Sequence, residues 1–183
     1  MIKRIAVSMK GGRAVIADAD LSTYSLFGGL NQHELDHLRS LMQREIFPSD
    51  YDILREGETG DRVYFILEGL AEVRVKPDAD SPPERVATLE PGQIFGEMEI
   101  LDIQPRTATV RSLEETTVLV LTSRSLYELK RWHLEAFTLV MMNLARDVSR
   151  RLRLMDRLYL LERQRNRRAG LSACSGPQAV PVG

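Results

Sequence analysis

The chain has few of the residue types and runs that define several common protein classes. Only one of its 183 residues is cysteine, Cys174, so a disulfide framework or a thiolate metal cluster within one chain is excluded. No run reaches the ~20 apolar residues that a membrane-spanning helix requires. The apolar run that follows Lys3-Arg4 ends after three residues, which is too short for a signal peptide. These absences predict a soluble, cytoplasmic protein without a membrane span.

Signatures of common enzymes are missing as well. The sequence has no nucleophile elbow, no protein-kinase signature and no Walker phosphate loop. One segment, residues 33–37 (His-Glu-Leu-Asp-His), matches the His-Glu-x-x-His pattern of zinc proteases. On a helix, however, both of its histidines would lie away from the side that carries Leu38 and Met42, and the only other histidine is His133. We therefore predict no catalytic residues and no metal site.

Charge is distributed unevenly along the chain. Residues 1–123 hold 13 Lys or Arg and 21 Asp or Glu, whereas residues 124–168 hold 12 Lys or Arg and only 5 Asp or Glu. Two arginine-rich stretches, residues 150–153 and 163–168, could bind nucleic acid or an acidic membrane surface. A solvated helix face is the commoner arrangement for such a pattern. The acidic part of the chain offers another set of partners for these arginines.

Hydrophobic periodicity divides the chain into segments. Residues 1–22 have no sustained period and are predicted to form an irregular arm. Asn31 can cap a helix that ends near Arg44 and has one apolar side, formed by Leu35, Leu38, Leu41 and Met42. Between residues 46 and 121, short strand-like runs alternate with turn signals, several of which contain glycine. This alternation predicts an all-β barrel or jelly roll.

The carboxyl-terminal part is predicted to be helical. Ser123 or Ser125 can cap a short helix through Lys130, and a longer helix, residues 133–168, would extend about 54 Å. Its apolar residues recur at intervals of three and four, at Phe137, Met141, Leu144, Val148, Leu152, Met155 and Tyr159. The first turns would pack on the chain's own barrel. The remainder predicts a coiled-coil homodimer, and residues 169–183 are predicted to be disordered.

The segment most informative about function is residues 94–110. Gly96 lies at the start of a short helical turn, Glu97 follows it directly, and Arg106 comes nine residues later, before a Thr-Ala-Thr-Val run. A glycine lets backbone approach a ligand closely, and the N–H groups of the turn after it can bind an anion. A guanidinium binds phosphate and a carboxylate accepts hydrogen bonds from sugar hydroxyls. The segment therefore predicts a site for a small sugar phosphate.

The Phe-Gly-Glu-Met and Arg-Thr-Ala-Thr-Val elements of this segment resemble the phosphate-binding cassette of cyclic nucleotide-binding domains. Such domains occur in catabolite activator protein, in regulatory subunits of cAMP-dependent kinase and in cyclic nucleotide-gated channels. The resemblance covers roughly residues 26 to 165. It implies a mainly β fold with flanking helices, a double-stranded β-helix (jelly roll) with an N-terminal helix and a long C-terminal helix. The implied domain boundaries are residues 1–22 for the arm, 23–132 for the jelly roll with its flanking helices, 133–168 for the dimerisation helix and 169–183 for the tail.

The resemblance also implies a ligand, cAMP or cGMP, and a role for each cassette residue. Glu97 would bind the ribose 2′-hydroxyl and Arg106 the cyclic phosphate. The other ligand-binding residues would be Gly96, Met98, Thr107 and Ala108. The Thr107 hydroxyl does not decide between the two nucleotides. The family caps the base from its long helix, where Asp147, Ser149 and Arg150 are candidates.

Glu99 departs from the family pattern, which has Ala or Ser at this position. A carboxylate near an anion site weakens binding unless it turns to solvent or pairs with a basic group. Three hypotheses therefore stay open. The first is a sensor that transmits ligand binding through its C-terminal helix to an unidentified protein. The second is a ligand-free scaffold in which Arg106 pairs with Glu97, and the third is a truncated transcription regulator. Without a winged helix after Arg168, direct DNA binding is not expected.

Overall fold

The computed structural model describes residues 21–78 and 80–168. Eight strands in this part of the chain form two antiparallel four-stranded sheets, ordered β1-β8-β3-β6 and β2-β7-β4-β5. The strands are β1 (Gln43–Phe47), β2 (Asp52–Leu54), β3 (Arg62–Glu68), β4 (Ala71–Val75), β5 (Glu84–Leu89), β6 (Ile94–Phe95), β7 (Thr109–Ser112) and β8 (Thr116–Thr122). The predicted jelly roll with flanking helices is confirmed.

Helices lie before, within and after the two sheets. They are α1 (Gln32–Leu41), α2 (Met98–Asp102), α3 (Ser123–Trp132) and α4 (Leu134–Arg168), and two 3-10 helices, Leu21–Thr23 and Ser25–Phe27, precede α1. None of the helices in the described residues has the length and hydropathy needed to cross a bilayer. The predicted tail with Cys174, and residues 1–20 of the predicted arm, lie outside the described residues. The last two residues of that arm begin a 3-10 helix, and Leu21 is fully buried.

The first helix begins where the sequence predicts but ends earlier. The Asn31 side chain accepts a hydrogen bond from the backbone N–H of Glu34, and the Glu34 carboxylate accepts one from the N–H of Asn31, at 3.0 and 2.8 Å. This capping box satisfies two backbone donors that the helix itself cannot. The predicted end near Arg44 is wrong, because Gln43–Phe47 pair with β8 as a strand. Sheet hydrogen bonds here outweigh the high helix propensity of Gln43, Arg44 and Glu45.

Two strands at the centre of the first sheet separate two apolar cores. Side chains alternate between the faces of a strand, so Val63 and Phe65 of β3 point to one side and Tyr64 and Ile66 to the other. One core lies between this sheet and the helices, and the second lies between the two sheets. Both faces of β8 are buried over most of its length. This rigid centre holds β6, from which the predicted cassette begins.

The helix that follows β8 is capped by a residue that the sequence reading missed. Thr122, in an extended conformation, accepts a hydrogen bond from the backbone N–H of Ser125 at 3.0 Å, whereas Ser123 and Ser125 were the predicted caps. An extended residue at the end of a strand can direct its side chain back to the first helical turn. The helix also continues past Lys130, to Trp132.

The long helix α4 packs on the domain over its first half, and its buried side chains lie in the first third. Ala136, Val140 and Leu144 are buried in the core. Asn143 donates hydrogen bonds to the carbonyl oxygens of Leu26 and Gly28, at 2.9 and 3.0 Å, and so joins the helix to the amino-terminal 3-10 helix. From residue 152 to residue 167 every side chain is exposed. The helix therefore extends beyond the body of the domain, as the periodicity predicts.

Candidate ligand-binding site

Residues 94–110 fold back on the loop between β2 and β3. The N–H of Arg106 donates to the carbonyl of Glu58, and the N–H of Gly57 donates to the carbonyl of Arg106, both at 2.8 Å. These two hydrogen bonds fix the backbone that carries the arginine. At the other end of the segment, Gly96 has a φ of 78°, which lets the chain turn sharply from β6 into α2. The start and the end of the cassette are thereby brought face to face.

All six residues predicted to bind ligand line one cavity of about 110 Å³, together with residues of both sheets and of α4. They are Gly96, Glu97, Met98, Arg106, Thr107 and Ala108. Glu97 and Arg106 are buried, whereas Met98 and Thr107 are exposed. Pockets that hold drug-sized ligands usually enclose about 300 Å³ or more. The cavity is therefore smaller than a typical ligand pocket.

Arg106 is bonded through all three of its side-chain nitrogen atoms. Its Nη1 donates to the carbonyl of Gly96 at 2.7 Å, and its Nη2 donates to the carbonyl of Arg62 at 3.1 Å. Its Nε lies 2.8 Å from the Oε2 atom of Glu99. A β-carbon on Gly96 would come within 2.7 Å of Nη1, so glycine is needed for this approach. The guanidinium is held rigidly with its charge neutralised inside the protein.

Glu99, the residue at which the sequence departs from the family pattern, turns inward. Its side chain is 8% exposed and that of Arg106 is 6% exposed, so the ion pair is buried. The backbone N–H of Gly60 donates to the other carboxylate oxygen of Glu99. Of the two arrangements expected for this carboxylate, the structure has the pairing with a basic group. The hypothesis that Arg106 pairs with Glu97 is wrong, because the guanidinium of Arg106 forms its ion pair with Glu99.

Glu97 is bound to the long helix instead. Its Oε1 atom accepts a hydrogen bond at 3.1 Å from Nη1 of Arg151, which lies on α4. Nη2 of Arg151 donates to the carbonyl of Ile94 and lies 2.9 Å from Oδ2 of Asp147. Arg151 thus joins two positions of the cassette to one turn of α4. This contact links the predicted ribose-binding residue directly to the helix.

Burial raises the pKa of the Glu97 carboxyl above its ordinary value of 4.5, although the positive charge of Arg151 opposes the shift. The side chain is only 3% exposed. No donor among the described residues reaches its Oε2 atom. An unsatisfied buried acceptor of this kind carries a desolvation penalty that a suitable donor removes. The site therefore contains a cation with a partner at each of its three nitrogen atoms and, at Oε2 of Glu97, a carboxylate oxygen ready to accept a hydrogen bond. The Oε2 atom of Glu99 also accepts no hydrogen bond from the described residues, although it lies 2.8 Å from Nε of Arg106 as an ion pair.

Two contributors to this site were missed in the sequence. Arg151 was passed over in favour of Asp147, Ser149 and Arg150, yet it is the α4 residue that lines the cavity. The signal that could have found it is position, since Arg151 lies one turn beyond Asp147 and the two can bond at this spacing. Gly60 was not among the predicted site residues. A β-carbon there would lie 2.6 Å from Nη2 of Arg106, so this glycine makes room for the arginine.

The zinc-protease-like segment takes no part in the site. His37 stacks on Trp132 with ring centroids 3.8 Å apart, and His33 meets the same ring edge-on at 5.3 Å. Glu34 is buried and lies 2.8 Å from Nδ1 of His133. Within the described ranges no group of three or more His, Cys, Asp or Glu side chains is arranged to hold a metal ion.

Comparison with known proteins identifies relatives over most of the chain. A cyclic AMP receptor protein from Thermus thermophilus is 36% identical over 146 residues, which are 78% of this chain and 65% of the relative. A CRP-like cAMP-activated global transcriptional regulator from Mycobacterium tuberculosis is 31% identical over 99 residues, or 54% of this chain and 43% of the relative. The chain thus spans less than two thirds of the length of either relative.

Solved structures of the same kinds of protein are also similar to this chain. The catabolite activator protein of Thermus thermophilus aligns with a TM-score of 0.65 at 33% identity, over 75% of this chain and 63% of that one. A cyclic nucleotide-binding domain from Methylobacillus flagellatus aligns with a TM-score of 0.69 at 29% identity, over 74% of this chain and 76% of that one.

A third structure is the regulatory subunit of a cAMP-independent protein kinase A from Trypanosoma brucei, with a TM-score of 0.58 at 27% identity over 69% of this chain and 43% of that one. It is a triple mutant, with glutamate changed to alanine, threonine to arginine and valine to alanine, bound to cAMP in its A site.

Residues 44–131 match the model of one protein family, described as the cyclic nucleotide-binding domain. The members of this family are regulatory rather than catalytic domains. The match, the relatives and the two-sheet fold agree, and residues 44–131 of the chain therefore belong to the cyclic nucleotide-binding domain family.

Proposed function

We propose that this domain is a regulatory module that binds cAMP or cGMP through Arg106 and Glu97. The observation that carries the proposal is the Oε2 atom of Glu97, a buried acceptor without a donor among the described residues, in a side chain that lines the same cavity as Arg106. A ribose hydroxyl would supply the missing donor, and the phosphate would supply an anion for the guanidinium. The relationship to cAMP-activated regulators supports this assignment.

Binding requires the cavity to open. At about 110 Å³ it is well below the ~300 Å³ of typical ligand pockets. Met98 and Thr107 are exposed at its edge, and α2 is only five residues long. A movement of this short helix away from the sheets would enlarge the cavity and would disturb the first core only at Ile100, which packs against it partly buried. We assign the closed and open forms to a pre-existing equilibrium that the nucleotide shifts through its higher affinity for the open form.

The proposed signal passes to α4 through Arg151. Because this arginine bonds both Glu97 and the carbonyl of Ile94, any ligand that draws on Glu97 changes what holds the middle of the helix. Beyond this point α4 has no side chain buried against the described part of the domain. A change at Arg151 would therefore alter the position of the exposed half of α4, which no buried side chain holds.

The partner of the exposed half of α4 is proposed to be a second copy of the chain. Leu152, Met155 and Tyr159 continue the heptad spacing of the docked turns and are each more than half exposed. Two such helices side by side would cover these surfaces. A further, downstream protein partner and a cytoplasmic location are also part of the proposal, whereas direct recognition of DNA is not.

One observation favours a second candidate, a scaffold that keeps the fold but binds no nucleotide. All three side-chain nitrogen atoms of Arg106 already have partners, and Glu99 neutralises its charge. The arginine therefore does not need a phosphate to be stable in the interior. In this case the domain would contribute only its α4 surface to an assembly.

The kinase regulatory subunit described as cAMP-independent bears on this choice. In that protein the replaced glutamate precedes the introduced arginine by seven positions, and the next residue becomes alanine. The same spacing separates Glu99 from Arg106 here. This chain has the arginine and also retains the glutamate. We therefore propose that this chain has the arginine of an anion site, but that the arginine is not free until the glutamate leaves it.

Calorimetric titration of the purified protein with cAMP and with cGMP tests the proposal. Saturable binding of one nucleotide per chain is expected. The matched control is Arg106→Gln in a Glu99→Gln background, which removes the guanidinium without leaving an unpaired carboxylate in the interior. Affinity that is identical in Glu99→Gln and in the double variant would show that the nucleotide, if bound, is held elsewhere. Absence of binding in the wild-type protein and in both variants would leave the scaffold.

A further inference from the structure

The pairing of Glu99 with Arg106 has a consequence that depends on the proposed function. We propose that Glu99 is an internal anion that holds the phosphate position of the cassette, so that it determines which anions the site accepts and how tightly. It would be a specificity-determining residue that competes with the ligand. The proposal rests on three features of the closed cavity, namely the pairing of charges, the backbone donor and the build of α2.

The carboxylate offers Arg106 the same chemistry as a phosphate. Both groups are anions whose oxygen atoms accept charge-assisted hydrogen bonds from a guanidinium. The Oε2 atom of Glu99 lies 2.8 Å from Nε, inside the protein, where the two charges are screened little by water. A cyclic phosphate carries one negative charge, as the carboxylate does. Exchange of one for the other would leave the net charge around Arg106 unchanged.

Glu99 also occupies a backbone donor of the facing loop. The N–H of Gly60 donates to its second oxygen atom, so one carboxylate bridges the loop and the arginine. Gly60 lies close to both groups, since a β-carbon there would be 2.6 Å from Nη2 of Arg106 and 3.2 Å from Oε2 of Glu99. These three residues are therefore in close contact. A phosphate would have to displace Glu99 to take its position beside Nε of Arg106.

The short helix that carries Glu99 is only weakly anchored. It ends at Asp102, and the next residue, Ile103, has a φ of 59°, in the left-handed region that β-branched residues rarely adopt. The Ile103 side chain is 87% exposed, and Ile100, which packs against the first core, is only partly buried. Two-state elements of this kind allow a ligand to shift a population. Release of Glu99 from Arg106 and opening of the cavity would then be one event.

The competition lowers affinity for any nucleotide in proportion to the stability of the closed pair. Couplings between two binding events at protein sites are typically 5- to 150-fold. We therefore expect Glu99→Ala and Glu99→Gln to bind cAMP or cGMP about 10- to 100-fold more tightly than the wild-type protein. Glu99→Gln retains an oxygen that can accept from Gly60 and keeps the shape of the side chain, which protects the test against misfolding of the alanine variant.

The matched control is Asp102→Ala. Asp102 lies on the same helix and lines the same cavity, but it is exposed and has no ion pair with Arg106. If Glu99 acted only by adding negative charge near the site, removal of Asp102 would tighten binding to a comparable degree. Because Glu99 acts by direct occupation, the Asp102 variant should differ from the wild type by no more than about twofold.

Thermal unfolding in inorganic phosphate gives a readout that does not depend on a nucleotide. Without Glu99, Arg106 is a buried cation without a counter-charge, so Glu99→Ala should be less stable than the wild type and should recover on addition of phosphate. The wild-type protein should show a smaller rise in Tm at the same phosphate concentration, because its own carboxylate fills the position.

Four outcomes separate this inference from the proposed function. Tighter nucleotide binding by both Glu99 variants, with the Asp102 variant unchanged, supports both. Equal affinity in the wild type and the Glu99 variants overturns the inference and leaves the function intact. Failure of every variant to bind a nucleotide, with stabilisation of Glu99→Ala by inorganic phosphate, refutes the function and retains the internal anion. If no variant binds a nucleotide and phosphate stabilises none of them selectively, both the function and the inference are refuted.

Discussion

The Nη1 atom of Arg151 on α4 lies 3.1 Å from the Oε1 atom of Glu97 in the cassette. This ion pair connects α4, the longest helix of the described residues, to the carboxylate proposed to bind ribose. The first half of the helix is fixed by Ala136, Val140 and Leu144 and does not need it. The contact therefore matters for the far half, where no buried side chain substitutes for it.

Substitution of Arg151 by alanine should loosen α4 beyond residue 147 and leave the sheets unaffected. Its loss leaves the Glu97 carboxylate, which is 3% exposed, without its counter-charge, so the free energy of unfolding should fall by about 1–3 kcal/mol. Hydrogen exchange should then accelerate more in the far half of α4 than in β3 and β8. Nucleotide should alter exchange of this half in the wild type but not in the variant. An unchanged nucleotide effect in Arg151→Ala would rule out this contact as the link.

Glu97→Gln should make stability less dependent on pH. Burial raises the pKa of Glu97 in the folded protein, so folding favours the protonated form. The stability that this group contributes is complete below the unfolded value of 4.5 and is lost as pH rises through the raised folded pKa. A neutral amide has no such loss. Urea unfolding of both proteins from pH 4 to 8 should show the variant gaining on the wild type as pH rises.

The same variant should bind nucleotide more weakly, by about tenfold, because a hydrogen bond to a charged acceptor is stronger than one to an amide. Titration at a single pH is sufficient to measure this difference. In the urea experiment, a free energy of unfolding of Glu97→Gln that falls relative to the wild type as pH rises would show that the direction assigned to the Glu97 pKa is wrong.

Gly96→Ala should disrupt the position of Arg106. The backbone φ of 78° disfavours alanine, and the new β-carbon would lie 2.7 Å from Nη1 of Arg106 and 2.8 Å from the carbonyl oxygen of Arg62. Gly57→Ala is a close control, since Gly57 has a φ of 81° but no atom within 4 Å of the added carbon. Gly57→Ala should cost about 1–2 kcal/mol of unfolding free energy, and Gly96→Ala clearly more. Equal losses would show that the arginine can move without cost.

Paired substitutions Leu152→Asp and Met155→Asp should convert a homodimer into a monomer. Both side chains are more than half exposed on α4, where they continue the heptad of the docked turns. Charged groups at such positions would be buried without partners in a helical interface. Arg153→Asp, at an exposed position on the other side of the helix, is the control. Light scattering measures the mass, and a monomeric wild-type protein at tens of micromolar would contradict the proposed dimer.

Much of the architecture was predictable because it depends on local patterns. The Asn31 cap is a short-range hydrogen-bonding preference, and the strand-like runs of β3 and β8 show the apolar composition that a buried strand requires. The end of α1 was not predictable in the same way. Gln43–Phe47 become a strand because β8, about 70 residues later, supplies the hydrogen bonds.

The residues of the site were predictable, but their partners were not. A motif of fixed spacing brought Glu97 and Arg106 into one cavity, since the residues between them form one short helix and its return. Their ion pairs, in contrast, depend on side chains from elsewhere or on a choice among rotamers. Glu99 could have turned to solvent, and Arg151 lies 54 residues from Glu97. Only the packing of α4 and α2 decides these contacts.

Titration of Glu99→Gln with cAMP and cGMP, beside Glu99→Gln with Arg106→Gln, measures most directly whether the cassette binds a nucleotide through its arginine. Glu99→Gln removes the internal anion, and the second substitution removes only the guanidinium. We predict one nucleotide per chain for Glu99→Gln and an affinity at least about tenfold lower for the double variant. Failure of Glu99→Gln to bind either nucleotide at about 1 mM, where binding worth about 4 kcal/mol is detected, would contradict the proposed function.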